Sequence, residues 1–535
     1  MAGYYHLDIA LTLESPFLLS GLGASAYGID AAPLRDGDGP EAPLLMPAPQ
    51  VRGVLRHALE VDYKDDAERL FGKGGMMHQD EDVVGRLTFA DLCADAPERA
   101  DITRVAIDPE TGAGKDGHLF TIELPAAVGE QVTFKGQIRL FAENDAKAKA
   151  DAAILKEALD YIVAIGKFKT AGYGRLVGKS PGEPVFWRAA KAKPSNRVQG
   201  AGDAAAFDLV FSIDRPMLVD TDYPEANFMR SATAIPGTVL KGALARQLIH
   251  AGDKPDKGAL ADVLSKLEIG FASTERVKDL QQTVRMRVAI DGETGAAATG
   301  NLFCQSMVKP DIDGQPVVCR SRIRWPGGGD AAALDPLRIL LGTLEAGLVS
   351  IGKTGAAMID GAQLEPAAPP DPLPGEPWKL ELLTPALMLR ACHLYDQASL
   401  EMALHAYWHE ASGGALRMAT HPADDEPDYC AEQFLRGGFS QTRFAAYGTD
   451  IVEPFVLMNA GSWFTLEPTS ADKRDAAVAL LERWLDTGLP AACWHDPTTL
   501  AFETPDRWQH NPFLPQNGYG AVYVAGASSS GDDAA

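Results

Sequence analysis

RVAIDPETGAGKDGHLF (Arg104–Phe120) returns as RVAIDGETGAAATGNLF (Arg287–Phe303), 183 positions further on (287 − 104). A recurrence of this length implies a duplicated structural unit, and internal repeats take precedence over local readings of a chain. Two further pairs keep the same order. MPAPQVRGVLRHAL (Met46–Leu59) matches IPGTVLKGALARQL (Ile235–Leu248), with Pro47 and Pro236, Arg52 and Lys241, Gly53 and Gly242 each 189 apart (236 − 47). AIGKFKTAGYGRLVG (Ala164–Gly178) matches SIGKTGAAMIDGAQL (Ser350–Leu364), with Gly166 and Gly352 186 apart (352 − 166). Three blocks in one order at a nearly constant offset make the first 370 residues two copies of one domain.

A third, degenerate copy follows. Each unit opens on an alternating strand that runs into X-Pro: LDIALTLESPFLL, FDLVFSIDRPMLV and WKLELLTPALML, pivoting on Pro16, Pro216 and Pro385. Alternation of apolar and polar residues is the mark of a half-buried strand. The third unit closes on a glycine turn, LPQNGYGAVYV (Leu514–Val524), but lacks the proline–glycine block and the IDxETG block. Pro/Gly/Ala-rich stretches at 181–206 and 365–377 read as linkers. The expected division is 1–190, 206–365 and 377–525, with 526–535 a disordered tail.

Within a unit, the strand leads through a Gly/Pro/Asp-rich loop to a helix starting near Pro47 or Pro236, where the missing proline N–H suits a first turn. Short strands and hairpins come next. Ala146–Gly166 has helical spacing with a glycine to end it, and RLVG forms the last strand. Strand, helix, strands, helix, strand is the ferredoxin-like order, so the expected class is α+β with antiparallel sheets in tandem.

Hydrophobic content of 46% and charged content of 23% are ordinary for globular chains, and 535 residues suggest three or four domains. No apolar run approaches a membrane span, and the start lacks a signal-peptide pattern, so a cytoplasmic protein with no membrane partner is expected. The six cysteines (93, 304, 319, 392, 430, 493) show no zinc spacing and read as buried thiols. Net charge is −24, of which −14 falls from Asp371 onward (9 Lys+Arg, 23 Asp+Glu) and −10 before it (40 against 50). An acidic total argues against a nucleic-acid partner unless the cations gather in one groove.

The ordered blocks resemble the RAMP (repeat-associated mysterious protein) superfamily, most closely the backbone subunits of type III CRISPR effector complexes. The motifs are Pro47–Gly53, Leu70-Phe71-Gly72, Gly85–Asp91 (GRLTFAD), Ile107–Phe120 and Gly166–Gly174, then Pro236–Gly242, Ile290–Phe303 and Gly352–Gly361. The resemblance implies a modified RNA-recognition-type fold whose subunits polymerise along guide RNA and present it to target RNA beside other type III subunits. It implies no organic cofactor.

GKFKTAGYGR sets Gly166, Gly172 and Gly174 beside Lys167, Lys169 and Arg175. Glycines let backbone N–H groups approach a phosphate, and the cations neutralise it. The same residues also read as a helix C-cap followed by a turn. Gly352 and Lys353 repeat the pattern with less charge. Arg52 and Arg56, four apart on one helical face, and Lys241, which repeats Arg52, are further phosphate-binding candidates.

Asp108, Glu110, Asp291 and Glu293 in the IDxETG blocks read as turn formers, with Leu119, Phe120, Leu302 and Phe303 expected to anchor the hairpins in the core. By resemblance the hairpins insert between guide–target base steps. Asp30, in SAYGIDAAPLRD, lies where the family carries an aspartate needed for target-RNA cleavage with a divalent cation such as Mg. It is the candidate catalytic and metal-binding residue. Asp36 and Asp38 share its loop, and Asp222 in VDTDYPEANF is the second unit's counterpart. Such a carboxylate could instead stabilise its own loop. A non-catalytic RNA-binding, capping subunit is one alternative. Another is a stand-alone guide-processing endoribonuclease using His57 as base. His405 and His409 have metal-like i, i+4 spacing without a third ligand and read as polar helix positions.

Overall fold

A computed structural model describes residues 1–19, 29–37, 39, 41–72, 85–95, 100–219, 222–225, 227–290, 297–359, 362–370, 372–389, 397–419, 428–438, 452–492 and 513–525. The proposed tail, Asp38, Asp291, Glu293 and Gly361 lie outside those residues.

In the opening strand, Gly3–Glu14, Leu7, Ile9, Leu11 and Leu13 turn into the core while Asp8 faces solvent, so the sequence alternation is the pleat itself. This strand is central. Gln131–Ala142 pairs along its whole length on one side, and Arg175–Pro181 and then Val185–Ala189 pair on the other, all antiparallel. Leu87–Phe89 and Leu92–Ala94 add to the far side of Gln131–Ala142. Numbered along the chain, the strands stand fourth, first, third, second, which is the ferredoxin-like sheet. The order recurs as Gln363–Pro366, Ala205–Phe211, Cys319–Trp325, Glu268–Ile269. It recurs again as Val522–Ala525, Trp378–Leu382, Trp463–Pro468, Leu416–Met418.

Each sheet is backed by helices that bury their apolar stripe on it: Ala48–Asp62 and Asp145–Asp160, then Gly237–His250 and Leu334–Ala346, then Gln397–Ala411 and Arg474–Thr487. The buried apolar residues form three main clusters, running from Tyr5 to Leu176, Val198 to Leu364 and Trp378 to Val524.

Four local expectations change. Pro47 and Pro236 stand at the N-caps of their helices with extended ψ, one residue ahead of the first turn. The helix expected over Ala146–Gly166 ends at Asp160, and its N-terminus is capped by the Asn144 side chain accepting the Lys147 amide at 2.9 Å. Past it, the branched side chains of Ile162, Val163 and Ile165 favour extended backbone. There the Leu176 amide donates to Val163 and the Ile165 amide to Gly174, so Gly166 caps no helix. The stretch read as a linker contains the strand Val185–Ala189, whose Val-Phe-Trp core is masked by proline and alanine on either side. Finally, Cys319 is buried as expected, but Cys93 and Cys304 are half-buried and Cys430 is exposed. Cys392 and Cys493 lie outside the described residues.

Successive sheets touch at two joints. Asp214, just before Pro216, forms an ion pair with Arg139 of the first sheet, and Arg215 donates to the Phe89 carbonyl at 2.8 Å. Tyr4 hydrogen-bonds His250 Nδ1 at 2.9 Å, and His250 stacks on Phe141 with ring centroids 4.0 Å apart. Arg188 donates to the carbonyl of Gly347 at 2.9 Å. At the next joint, Tyr519 meets Phe271 edge to face at 5.0 Å, and Gly518 lies against Gly270 and Phe271.

Candidate nucleic-acid interface

The first repeated block is a hairpin, Ala100–Ile107 with Gly114–Leu124. Its first and last residues, Arg104 and Phe120, stand opposite each other across the ladder, as do Arg287 and Phe303 in the second hairpin, Gln282–Ile290 with Ala297–Val308. The seventeen residues are thus one closed ribbon copied intact. Asp108 forms its turn: Oδ1 accepts the amides of Glu110 at 2.9 Å and Thr111 at 3.0 Å, and these bonds hold the carboxyl below its usual range.

The expected core anchors of the first hairpin are exposed. Leu119 is 67% exposed and Phe120 is also exposed; burial begins at Ile122 and Leu124. A two-stranded ribbon projecting beyond its sheet has no second layer to cover its outer residues. Of the second hairpin's pair, Phe303 is half-buried and the Leu302 side chain lies outside the described residues.

The glycine loop lies at the foot of this ribbon. The Lys167 amide donates to the Leu18 carbonyl at 3.0 Å and the Gly174 amide to Pro16 at 2.9 Å, which lashes the loop to the end of the opening strand. Gly174 has φ +72°, and a Cβ there would lie 1.9 Å from the Ile165 carbonyl oxygen, so no other residue fits. Gly172, at φ +84°, faces open space: nothing lies within 4 Å of where its Cβ would be. Structural crowding explains the first glycine and does not explain the second. Lys167, Lys169 and Arg175 are exposed, and among the described residues Arg175 approaches Glu14 at 3.5 Å.

Loop and ribbon are coupled by Arg104. Its guanidinium lies 5.3 Å from the Phe168 ring centre and 5.5 Å from that of Tyr173, while Phe120 meets Phe168 edge to face at 6.4 Å. Cation–π contacts at such exposed sites contribute about 0.5–1 kcal/mol each. Arg104, Phe168 and Tyr173 were not singled out in the sequence, although an arginine that heads both copies of the repeat was a usable signal.

Asp30 lies beside the same ribbon. It is exposed, its Oδ2 accepts the Thr121 amide at 2.7 Å, and its own amide donates to the Thr121 carbonyl at 2.9 Å. In the second unit the equivalent amide, that of Cys304 (121 + 183), donates to the backbone carbonyl of Asn227 at 2.7 Å. There Phe228 pairs with Cys304 and Met229 with Gln305, as Ala31 pairs with Ile122. Phe228 therefore takes the place of Asp30. Asp222 sits on a neighbouring strand, opposite Arg230. Asp36 reaches the second hairpin, where Arg285 approaches it at 3.5 Å.

The helix cations have partners inside the protein. Arg52 donates to the Phe71 carbonyl at 2.6 Å, and Arg56 pairs with Glu60 at 2.7 Å. Lys241 is half-buried near Glu268; burial pulls its ammonium down to about 8. In the second glycine loop Gly352 lies against Leu218 and Val219 as Gly166 lies against Leu18 and Leu19 in the first; Gly355 lies against Thr88 of the first sheet, and Lys353 is exposed. His57 is exposed on its helix, and His405 and His409 share the helix Gln397–Ala411. Among the described residues no three His, Cys, Asp or Glu side chains gather as a metal site, and no helix is long and apolar enough to cross a membrane.

The family model of the RAMP superfamily matches residues 33–177. Over that stretch the chain is similar to RAMP domains. The match begins after Asp30 and runs through the ribbon and the glycine loop into the strand Arg175–Pro181. Among solved structures, a chain from the type III-B Cmr-beta complex bound to cognate target RNA is similar at 15% identity and a TM-score of 0.25. The likeness covers 34% of this chain and 61% of that one, so it spans less than two thirds of the relative's length. No curated protein matches.

Proposed function

We propose that this chain is a guide-RNA-binding backbone subunit of a type III CRISPR effector, with 1–190, 206–365 and 377–525 as three successive units. The observation that carries the reading is the Arg104 bridge, which joins an exposed ribbon to a glycine loop bearing Lys167, Lys169 and Arg175. The space beside Gly172 is open, so a sugar–phosphate strand can approach its backbone there while the cations neutralise phosphate. The test is to purify the chain with its bound nucleic acid: a discrete RNA is expected, lost in Lys167→Glu/Lys169→Glu. A chain free of RNA, with no affinity for added RNA, refutes the reading.

Target-RNA cleavage at Asp30 belongs to the same proposal. Magnesium is commonly held by one or two carboxylates, with phosphate oxygens and water completing its shell. A lone carboxylate beside bound RNA fits that habit, and the ion would supply charge neutralisation at the scissile phosphate. The Thr121 amide fixes one oxygen of Asp30, which orients the carboxylate towards the foot of the ribbon. From there Asp30 can accept the proton of a 2′-hydroxyl as its oxygen attacks the adjacent phosphorus and the 5′-oxygen departs, leaving a cyclic phosphate.

One observation favours the non-catalytic reading: in the second unit a plain backbone carbonyl, that of Asn227, satisfies the amide that Asp30 satisfies in the first. Comparing Asp30→Asn with Asp30→Ala separates the two roles.

A further inference from the structure

The second ribbon departs from its copy at one cross-strand pair. Ile102 and Ile122 stand opposite each other at the base of the first ribbon, and the offset of 183 puts Arg285 and Gln305 there in the second, again directly paired. Ile122 is fully buried and Ile102 half-buried; Arg285 and Gln305 are 7% and 6% exposed. Polar side chains have replaced apolar ones at a buried place, and the exchange is costly. Arg285 Nε and Gln305 Oε1 meet no hydrogen-bond partner among the described residues, and a buried polar atom without one is destabilising. An isoleucine pair closes the same site in the first ribbon, so a ribbon of this kind does not itself require the polar pair.

The other nitrogens of Arg285 serve both units. Nη1 donates to Thr283 Oγ1 at 2.6 Å and to the Val284 carbonyl at 3.3 Å. Nη2 crosses to the first unit, 3.5 Å from Asp36 Oδ1 and 4.0 Å from Asp91 Oδ2. Asp91 is itself fixed, since its Oδ1 accepts the Ala48 amide at 2.7 Å where the helix Ala48–Asp62 begins. Asp36 lies six residues beyond Asp30 (36 − 30) on the same loop. Between them Arg35 pairs with Glu123 of the first ribbon at 3.1 Å, and neither side chain is more than 10% exposed. The segment 30–36 therefore has two ties to the first ribbon, Asp30–Thr121 and Arg35–Glu123, and a third, at its far end, to the second.

Taking Asp30 as the group that cleaves target RNA, the reading on which this step rests, we propose that Arg285 is its positioning residue: by holding Asp36 it sets the loop, so that Asp30 of the first unit is competent only with the ribbon of the second unit seated. Displacing a reacting group by about 1 Å costs on the order of 10² in rate, which a slack loop would allow. The guanidinium also offsets two carboxylates that would otherwise compete with Asp30 for a divalent cation.

The test purifies the full chain with its RNA and measures single-turnover cleavage of a complementary RNA in excess magnesium. Arg285→Ile/Gln305→Ile gives the second ribbon the pair that the first one carries, and apolar replacement of buried polar groups is commonly neutral or stabilising. The variant is expected to cleave roughly tenfold or more slowly, with RNA affinity within about twofold of wild type and a melting temperature no lower. Hydrogen exchange over residues 30–36 is expected to quicken. Asp214→Ala weakens the joint between the same two units at Arg139, and is expected to cleave at the wild-type rate below its own melting temperature. Undiminished cleavage or unchanged exchange in the double variant overturns the positioning role alone. Equal slowing by Asp214→Ala does the same, as does a slower rate matched by lost RNA affinity or a lower melting temperature. No cleavage by wild type, or full cleavage by Asp30→Asn, overturns the reading of Asp30 and this role with it.

Discussion

The carboxylate of Asp30 accepts the Thr121 amide at 2.7 Å, so the candidate catalytic acid is also a structural pin between its loop and the projecting ribbon. Asparagine keeps an acceptor for that amide and loses the charge; alanine loses both. If Asp30 acts on RNA, Asp30→Asn and Asp30→Ala should each lower cleavage by about 10² or more, the usual scale for a general acid–base group. Wild-type cleavage by Asp30→Asn, with loss only in Asp30→Ala, would assign the residue to the loop alone. Asp222→Ala is expected to leave cleavage unchanged, because Phe228 holds the equivalent place in the second unit.

Guide binding should be electrostatic at the first glycine loop. Each phosphate contact removed lowers the slope of log K against log salt by about 0.7 for a single strand. Lys167→Ala/Lys169→Ala should therefore flatten the slope by roughly 1.4, measured by filter binding across a salt series. Arg56→Ala should change it little, since Glu60 already holds that guanidinium.

Two glycines of that loop should separate folding from binding. Gly174→Ala drives a Cβ into the Ile165 carbonyl and should lower the melting temperature sharply. Gly172→Ala has open space and costs only the left-handed backbone, about 1–2 kcal/mol. Its expected signature is weaker RNA binding in a protein that remains folded, read by calorimetry and binding on one preparation.

The joint between the first two units should weaken in acid. Burial, aided by the nearby Arg246 and Arg86, pushes His250 down to about 4. Above about pH 6.5 the ring is neutral folded and unfolded, so it adds no pH dependence. As pH falls from there towards 4 the unfolded chain gains a proton that the folded chain resists, and stability drops by roughly 3 kcal/mol. His250→Phe keeps a ring against Phe141 and should flatten part of the decline in melting temperature over that window. His6, also pushed down to about 4 by burial, retains the remainder.

Asp214 offers a pH-independent probe of the same joint. It pairs with Arg139, which is 4% exposed, so Asp214→Ala strands a buried guanidinium. Losses of this kind run to about 3–5 kcal/mol. Limited proteolysis should then cut between the first two units at temperatures where wild type resists.

The repeat made the ribbon legible, because pairing of Arg104 with Phe120 and Arg287 with Phe303 follows once both blocks are read as hairpins. The alternation of Leu7, Ile9, Leu11 and Leu13 likewise announced the central strand. What stayed hidden depended on contacts made far along the chain. Leu119 and Phe120 look like core residues until the ribbon is seen to project past its sheet. For Arg52 and Lys241 the sequence does not show the Phe71 carbonyl or the nearby Glu268 that the structure places beside them. Asp222 matched Asp30 by nearness to a proline, whereas hydrogen-bond register, which sequence does not show, puts Phe228 there.

Covalent fusion changes what the Asp214–Arg139 and Tyr4–His250 joint must accomplish. Separate chains meeting through it would surrender translational and rotational freedom at every encounter, a cost of several kcal/mol. Tethering holds the two faces at an effective concentration in the millimolar range, so a modest, polar contact suffices. It also fixes stoichiometry at the ribosome: the first two units reach any assembly in equal number and in one order, whatever the supply of other components.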